Sequence, residues 1–304
     1  MRNFLQVMVD AVALGSLLAL VALAIGLVFG VMRLINFAQG DYITIGAYAL
    51  VVPTASLTPA LLIGALPVPL MVAGIMLVVI LLALATERAA FRPLRDSDPA
   101  TLLISSFAVS YFLQHLVMLI HTGRPKSVGI GQALTTPIDI LGLRVPGIQV
   151  VTMAVTAALL IALVLFLKRT PMGIQMRAAA ENFQMARLLG VPANRVIAVA
   201  FVISGVLGAV VSLLLIVQTG TLSLRMGLMP VIFAFFATVI GGMGSLTGAA
   251  LGGFLVGVAS VLLQSFLPEG LRPFRDAFLF GLVIIILLVR PKGLIVIGAA
   301  RERV

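Results

Sequence analysis

Asn36, Gln39 and Asp41 make the densest polar cluster close to an apolar run, in a chain that is 62% hydrophobic and only 10% charged. Each amide offers a donor and an acceptor, and the carboxylate offers a negative charge. Gly40, set among them, lets the backbone leave a helix or approach another one closely. One reading is a broken helix whose freed amides and side chains meet a polar solute. The other is that Asp41 simply caps the helix that follows it. Ser106, Ser110 and Gln114 recur every fourth residue, with Tyr111 beside them, and so share one helix face. Such a stripe lines a polar path or stitches helices together through hydroxyl bonds.

No catalytic constellation accompanies these residues. The sequence has no G-x-x-x-x-G-K-[ST] loop, so nucleotide-driven work must come from another polypeptide. It has no H-E-x-x-H, and two histidines without a cysteine give little basis for a metal site and none for a disulfide. This counts against an intramembrane enzyme and implies no cofactor in the chain. Nor does the formal charge of +10 point to nucleic acid, because the cations fall in short runs between apolar stretches and read as topology signals.

The elements that must position these groups follow from the same composition. A soluble domain is roughly a quarter charged, so these 304 residues are read as an integral membrane protein, all-α, a polytopic transmembrane helix bundle forming one domain. A spanning helix needs about 20 mainly apolar residues. Charge-free gaps then admit one pass in Asp10–Arg33, two in Asp41–Glu87 with a bend among Pro53, Pro59, Pro67 and Pro69, and one each in Asp98–Arg124, Arg144–Lys168 and Arg195–Arg225. Arg225–Glu269 holds two, turning near Gly241–Gly248, and Asp276–Arg290 a short last one. The expectation is nine spans, or eight if Arg33–Tyr48 is re-entrant. Ala22-Leu23-Ala24 resembles a signal cleavage site, but the apolar run continues to Phe29, which favours a retained helix.

Lys and Arg mark the sides. Arg88, Arg92 and Arg95, five cations in Lys168–Arg195, and Arg290, Lys292, Arg301 and Arg303 fall on one side, twelve in all. Arg124, Lys126, Arg144, Arg272 and Arg275 fall on the other, so the first side is expected to be cytoplasmic. The long opposite loop, His121–Pro146, is either a docking surface for an extracytoplasmic partner or a plain connector.

Thr170–Asn194 is an island of polarity on the cation-rich side. Thr170 suits an N-cap, Pro171 the first helical position, and Gly190 before Pro192 a stop. Met176, Ala179, Phe183 and Ala186 form an apolar stripe, with Arg177, Glu181 and Gln184 off it. An amphipathic helix of this kind faces a soluble partner or lies on lipid headgroups. Gly244, Gly248 and Gly252 at spacing four, repeated by Gly253 and Gly257, predict close helix packing.

Ala178-Ala179-Ala180-Glu181-Asn182 and Ala186-Arg187-Leu188-Leu189-Gly190-Val191 resemble the cytoplasmic coupling segment of LivH-type permeases, the membrane subunits of branched-chain amino-acid ABC importers. Asn36-Phe37-Ala38-Gln39-Gly40-Asp41 and Gly241-Gly242-Met243-Gly244-Ser245 agree at the same relative places. The resemblance implies a bacterial inner-membrane permease. Its expected partners are a second permease subunit (LivM-like, or a second copy), two cytoplasmic ATPases that bind the ATP, and an extracytoplasmic substrate-binding protein. It also implies that the segment holding Met176, Ala179, Ala180, Glu181, Phe183, Ala186, Leu189 and Gly190 forms the ATPase contact; the polar patterning itself makes Asn36, Gln39, Gly40, Asp41, Ser106, Ser110 and Gln114 the expected pathway residues. The competing expectation is an ion-coupled secondary transporter, against which stands the scarcity of acids within the spans.

Overall fold

The first apolar run becomes α1 (Arg2–Met32), around which the rest of the bundle packs. The computed structural model describes residues 2–294 apart from Ala55, Asp96, Leu141, Gly142 and Lys292. After α1 come α2 (Gln39–Tyr48), α3 (Val68–Thr86, continued by a wider turn over Glu87–Phe91) and α4 (Pro99–His121). An outer loop follows, with β1 (Lys126–Ser127), α5 (Gln132–Thr135), β2 (Pro137–Ile140) and β3 (Leu143–Pro146). The chain continues through α6 (Gly147–Arg169), α7 (Pro171–Glu181), α8 (Phe183–Leu188) and α9 (Ala193–Thr219). It then runs through β4 (Thr221–Leu222), α10 (Leu228–Gly241), α11 (Leu246–Phe266) and α12 (Arg275–Val289).

The polytopic helical bundle expected from composition is the fold observed. Six described helices are long and apolar enough to cross a membrane: α1, α3, α4, α6, α9 and α11. Helices α2, α10 and α12 stand where three further spans were expected, but they have 10, 14 and 15 residues. Burial divides the long helices into two classes. Helices α1 and α9 are mostly enclosed by protein, whereas α3, α4 and α6 turn side chains such as Leu81, Ile104, Phe112 and Ile161 outward. Outward leucine carries no penalty against lipid tails, so contacts between these helices must come from packing and polar bonds.

Glycine supplies much of that packing. On α11, Gly253 and Gly257 lie against α1, where an added Cβ would stand 2.6 Å from the Ala19 Cα and 2.5 Å from the Gly15 Cα. Gly248 and Gly252, one face round, press on the Gly241 and Ala237 carbonyls of α10 so closely that no side chain fits. Gly244 does not belong with them. It lies in the turn before α11 with φ 95° and nothing near its missing Cβ, so its role is conformational.

The connections sort into two ends. At one, β1 pairs with β4, Ser127 N–H donates to the Leu57 carbonyl (2.9 Å), and Lys126 reaches the Thr54 carbonyl. At the other, Arg33, Lys168, Arg177 and the Gly242–Ser245 turn surround one cavity, and Arg95 bonds Asn194 and Glu87. Lys292, Arg301 and Arg303, which contribute to the expected charge bias, lie outside the described residues.

Candidate functional site

Helix α1 ends at Arg33, whose φ of 57° is left-handed and sparsely populated for a residue with a Cβ. Residues 33–36 are not helical, and a turn at 37–38 leads into α2. This is a broken helix, and its bonded amides resume at Gln39. Gln39 N–H donates to the Asn36 carbonyl (3.3 Å), Gly40 N–H to Phe37 (3.3 Å) and Asp41 N–H to Ala38 (3.0 Å). The N-cap is Ala38, with no side-chain bond, so Asp41 does not cap α2. It sits in the first turn, buried, with Ser110 and Gln114 of α4 close enough to act on its carboxylate.

Two stretches that the sequence kept apart therefore meet. Gln114 Nε2 donates to Ser110 Oγ (3.1 Å), so the polar pair beside Asp41 is bonded within α4. Ser110 and Gln114 lie near the middle of the 23-residue α4, so Asp41 sits deep in the bundle. Ser106 is different: its hydroxyl bonds the Leu103 carbonyl of its own helix (2.8 Å). Phe37 stacks on Phe107 of α4 at 4.4 Å and tilts against Phe235 of α10 at 5.5 Å, which fixes the break between two helices.

Gln39 is occupied by a neighbour. Its Nε2 donates to the Ser204 carbonyl (3.1 Å) and its Oε1 accepts from Ser204 Oγ (2.8 Å), tying α2 to α9. Gly208, one turn on, leaves the room that the amide fills; a Cβ there would stand 2.9 Å from Nε2. Gly40 lies against the backbone of Gly227, with 2.9 Å between its missing Cβ and that carbonyl, and Thr44 Oγ1 accepts from Gly227 N–H (3.3 Å). Asn36 is 1% exposed and lies beside Tyr42, yet neither amide atom completes a hydrogen bond among the described residues. Tyr42 itself bonds Thr86. Ser204, Gly227 and Tyr42 were not singled out in the sequence; the Ser204/Gly208 spacing of four was the available signal.

The polar island forms two helices, where one was expected. Thr170 caps α7 through Gly173 N–H (3.0 Å), and Pro171 opens it. Asn182 then takes an extended conformation and caps α8 through Met185 N–H (3.0 Å). Gly190 stops α8 with φ 86°. Its N–H bonds the Arg187 carbonyl and Val191 N–H the Ala186 carbonyl, both at 3.0 Å, a Schellman closure. Met176, Ala179 and Ala186 turn inward and are buried, while Phe183 and Ala180 are half-buried. The outward face carries Glu181, Met185, Leu188 and Leu189, with the two leucines 81% and 80% exposed. Between α7, the end of α1 and the Gly242–Ser245 turn lies a cavity of about 800 Å³ lined by Arg33, Lys168, Arg177 and Glu181.

A multi-pass bundle with a polar network at a broken helix, and with exposed leucines on a short helix pair at one end, is a membrane transport subunit in its architecture. The family described as branched-chain amino acid transport system / permease component matches residues 7–288, and the chain belongs to it. It is 35% identical to the high-affinity branched-chain amino acid transport system permease protein BraD of Pseudomonas aeruginosa, over 96% of each chain. It is 36% identical to LivH of Salmonella typhimurium over 96% of this chain and 95% of that one, and 35% identical to LivH of Escherichia coli over the same shares.

Proposed function

We propose that this chain is the permease subunit of an ABC importer that moves branched-chain or related amino acids into the cell. Full-length similarity to branched-chain permeases carries the reading. It works as one permease domain in the bacterial inner membrane, paired with a LivM-like subunit or a second copy of itself. Two cytoplasmic ATPases bind the ATP, and an extracytoplasmic binding protein delivers the cargo. The absence of a nucleotide loop from the sequence fits that division of labour.

The chain crosses the membrane nine times in this reading, with α2 and α10 as short crossings extended by their unwound approaches. The cation-rich end, with α7 and α8, faces the cytoplasm, and so does the C-terminus. Leu188 and Leu189 supply the exposed apolar contact for the ATPase, and the buried Met176, Ala179 and Ala186 hold the helix pair to the bundle. Asp41, beside Ser110 and Gln114, meets the ammonium group of the cargo. Co-purification tests the reading: the wild-type permease should retain the ATPase, and Leu188→Asp combined with Leu189→Asp should lose it while still inserting. An ATPase retained by the double variant would return α7 and α8 to the lipid surface.

A further inference from the structure

At the end of the bundle opposite α7 and α8, unsatisfied polar groups gather where α2 and α4 finish. The Tyr48 ring lies against the His121 ring, centroids 4.8 Å apart. Thr122 follows with φ 67°, a conformation rare for a β-branched residue. The Lys126 charge is close enough to act on His121. Tyr48 Oη, His121 Nδ1 and Thr122 Oγ1 have no hydrogen-bond partner among the described residues.

Lys126 is the least expected of the group. Its side chain is covered by the outer loops, 1% exposed, and its ammonium donates to the Thr54 carbonyl. The ion pairs among the described residues are Arg95–Glu87 and Arg275–Asp276, so none of the described acids answers this charge. Burial lowers its pKa accordingly. An ammonium carries three donors, and covering a cation without a counter-ion is costly. A loop pin would need only the one bond to Thr54, which a neutral amide also makes. It explains neither the charge nor the three idle groups where α2 and α4 finish.

We propose that Lys126, Tyr48, Thr122 and His121 form a carboxylate-receiving subsite at the extracytoplasmic mouth, which takes the carboxylate of the incoming amino acid before its ammonium group reaches Asp41. The proposal rests on the import reading above. A carboxylate accepts several hydrogen bonds at once, and the ammonium and two hydroxyls supply them, with His121 Nδ1 donating in one tautomer. Tyr48 lies seven residues beyond Asp41 on α2, a rise of about 10 Å. The charged ends of one amino acid do not span that distance, so the two sites act in succession.

The full complex in proteoliposomes, supplied with saturating leucine-loaded binding protein, gives two readouts: leucine uptake and stimulated ATP hydrolysis. Lys126→Gln should cut uptake at least tenfold while ATP hydrolysis stays stimulated, and Lys126→Arg should restore most of the uptake. Tyr48→Phe, which removes one hydroxyl and keeps the ring, should lower uptake several-fold. Wild-type uptake in Lys126→Gln and Tyr48→Phe would overturn the proposal. So would loss of the folded complex in Lys126→Gln together with wild-type behaviour of Tyr48→Phe, which would mark a loop pin. If the wild-type complex itself imports no branched-chain amino acid, the import reading has failed, and the subsite falls with it.

Discussion

Replacing Gln39 by Met separates a structural tether from a cargo contact at the same residue. Met fills nearly the same volume but removes both the bond to the Ser204 carbonyl and the bond from Ser204 Oγ. Interhelical hydrogen bonds inside membrane bundles average about 0.6 kcal/mol, so the loss should be about 1.2 kcal/mol of stability. Ser204→Ala removes only the hydroxyl bond and should cost about half as much. Adding Ser204→Ala to Gln39→Met should then cost nothing further, since that bond is already gone, leaving the pair non-additive by about 0.6 kcal/mol. Denaturant titration of the purified protein in mild detergent measures all three variants, with uptake at matched expression alongside. The tether account is refuted if Gln39→Met unfolds like wild type yet loses more than tenfold in uptake while Ser204→Ala transports normally. That outcome would turn the amide toward the cargo.

Asp41→Asn should lower uptake about tenfold, equivalent to 1.4 kcal/mol, through loss of a charge-assisted bond; near-normal uptake would take the carboxylate out of the pathway. Gly252→Val forces a side chain into the Ala237 carbonyl and should cost well over the 1–3 kcal/mol of ordinary overpacking, read as loss of monodisperse protein by size-exclusion chromatography. Gly190→Val should destabilise α8 by about 1–2 kcal/mol from its left-handed φ alone, since nothing crowds the site, and Gly190→Asn should be milder. Equal effects of Val and Asn in limited proteolysis of the α7–α8 pair would argue against that cause.

Sequence patterning carried much of this structure. Long apolar runs between charges located α1, α4, α6, α9 and α11, because a bilayer demands uninterrupted apolar length. Thr170 and Gly190 marked the ends of the polar island through local backbone chemistry, and both act as that chemistry requires. The break at Asn182 escaped notice because the three- and four-residue stripe runs unbroken across it. The stripe also misled about direction: a short amphipathic segment packs its apolar side on its own bundle, and the most exposed apolar side chains are Leu188 and Leu189.

The broken helix after α1 was legible as a possibility from Asn36, Gln39 and Gly40, but its partners were not. Ser204, Gly227 and Thr86 meet it only through the tertiary fold. Asp41 was weighed as a cap on positional grounds, whereas the polar residues beside it, Ser110 and Gln114, belonged to a stripe read independently. Lys126 was counted among the outer-loop cations; nothing in its neighbours in sequence signals that the loops close over it.

Reconstituted uptake tests the central claim most directly. The permease, its partner subunit and the ATPases are placed in proteoliposomes with the binding protein and labelled leucine on one side and ATP on the other. Uptake is predicted to require both ATP and the binding protein and to survive collapse of every ion gradient. Leucine accumulation driven by a proton or sodium gradient, without ATP, would contradict the account.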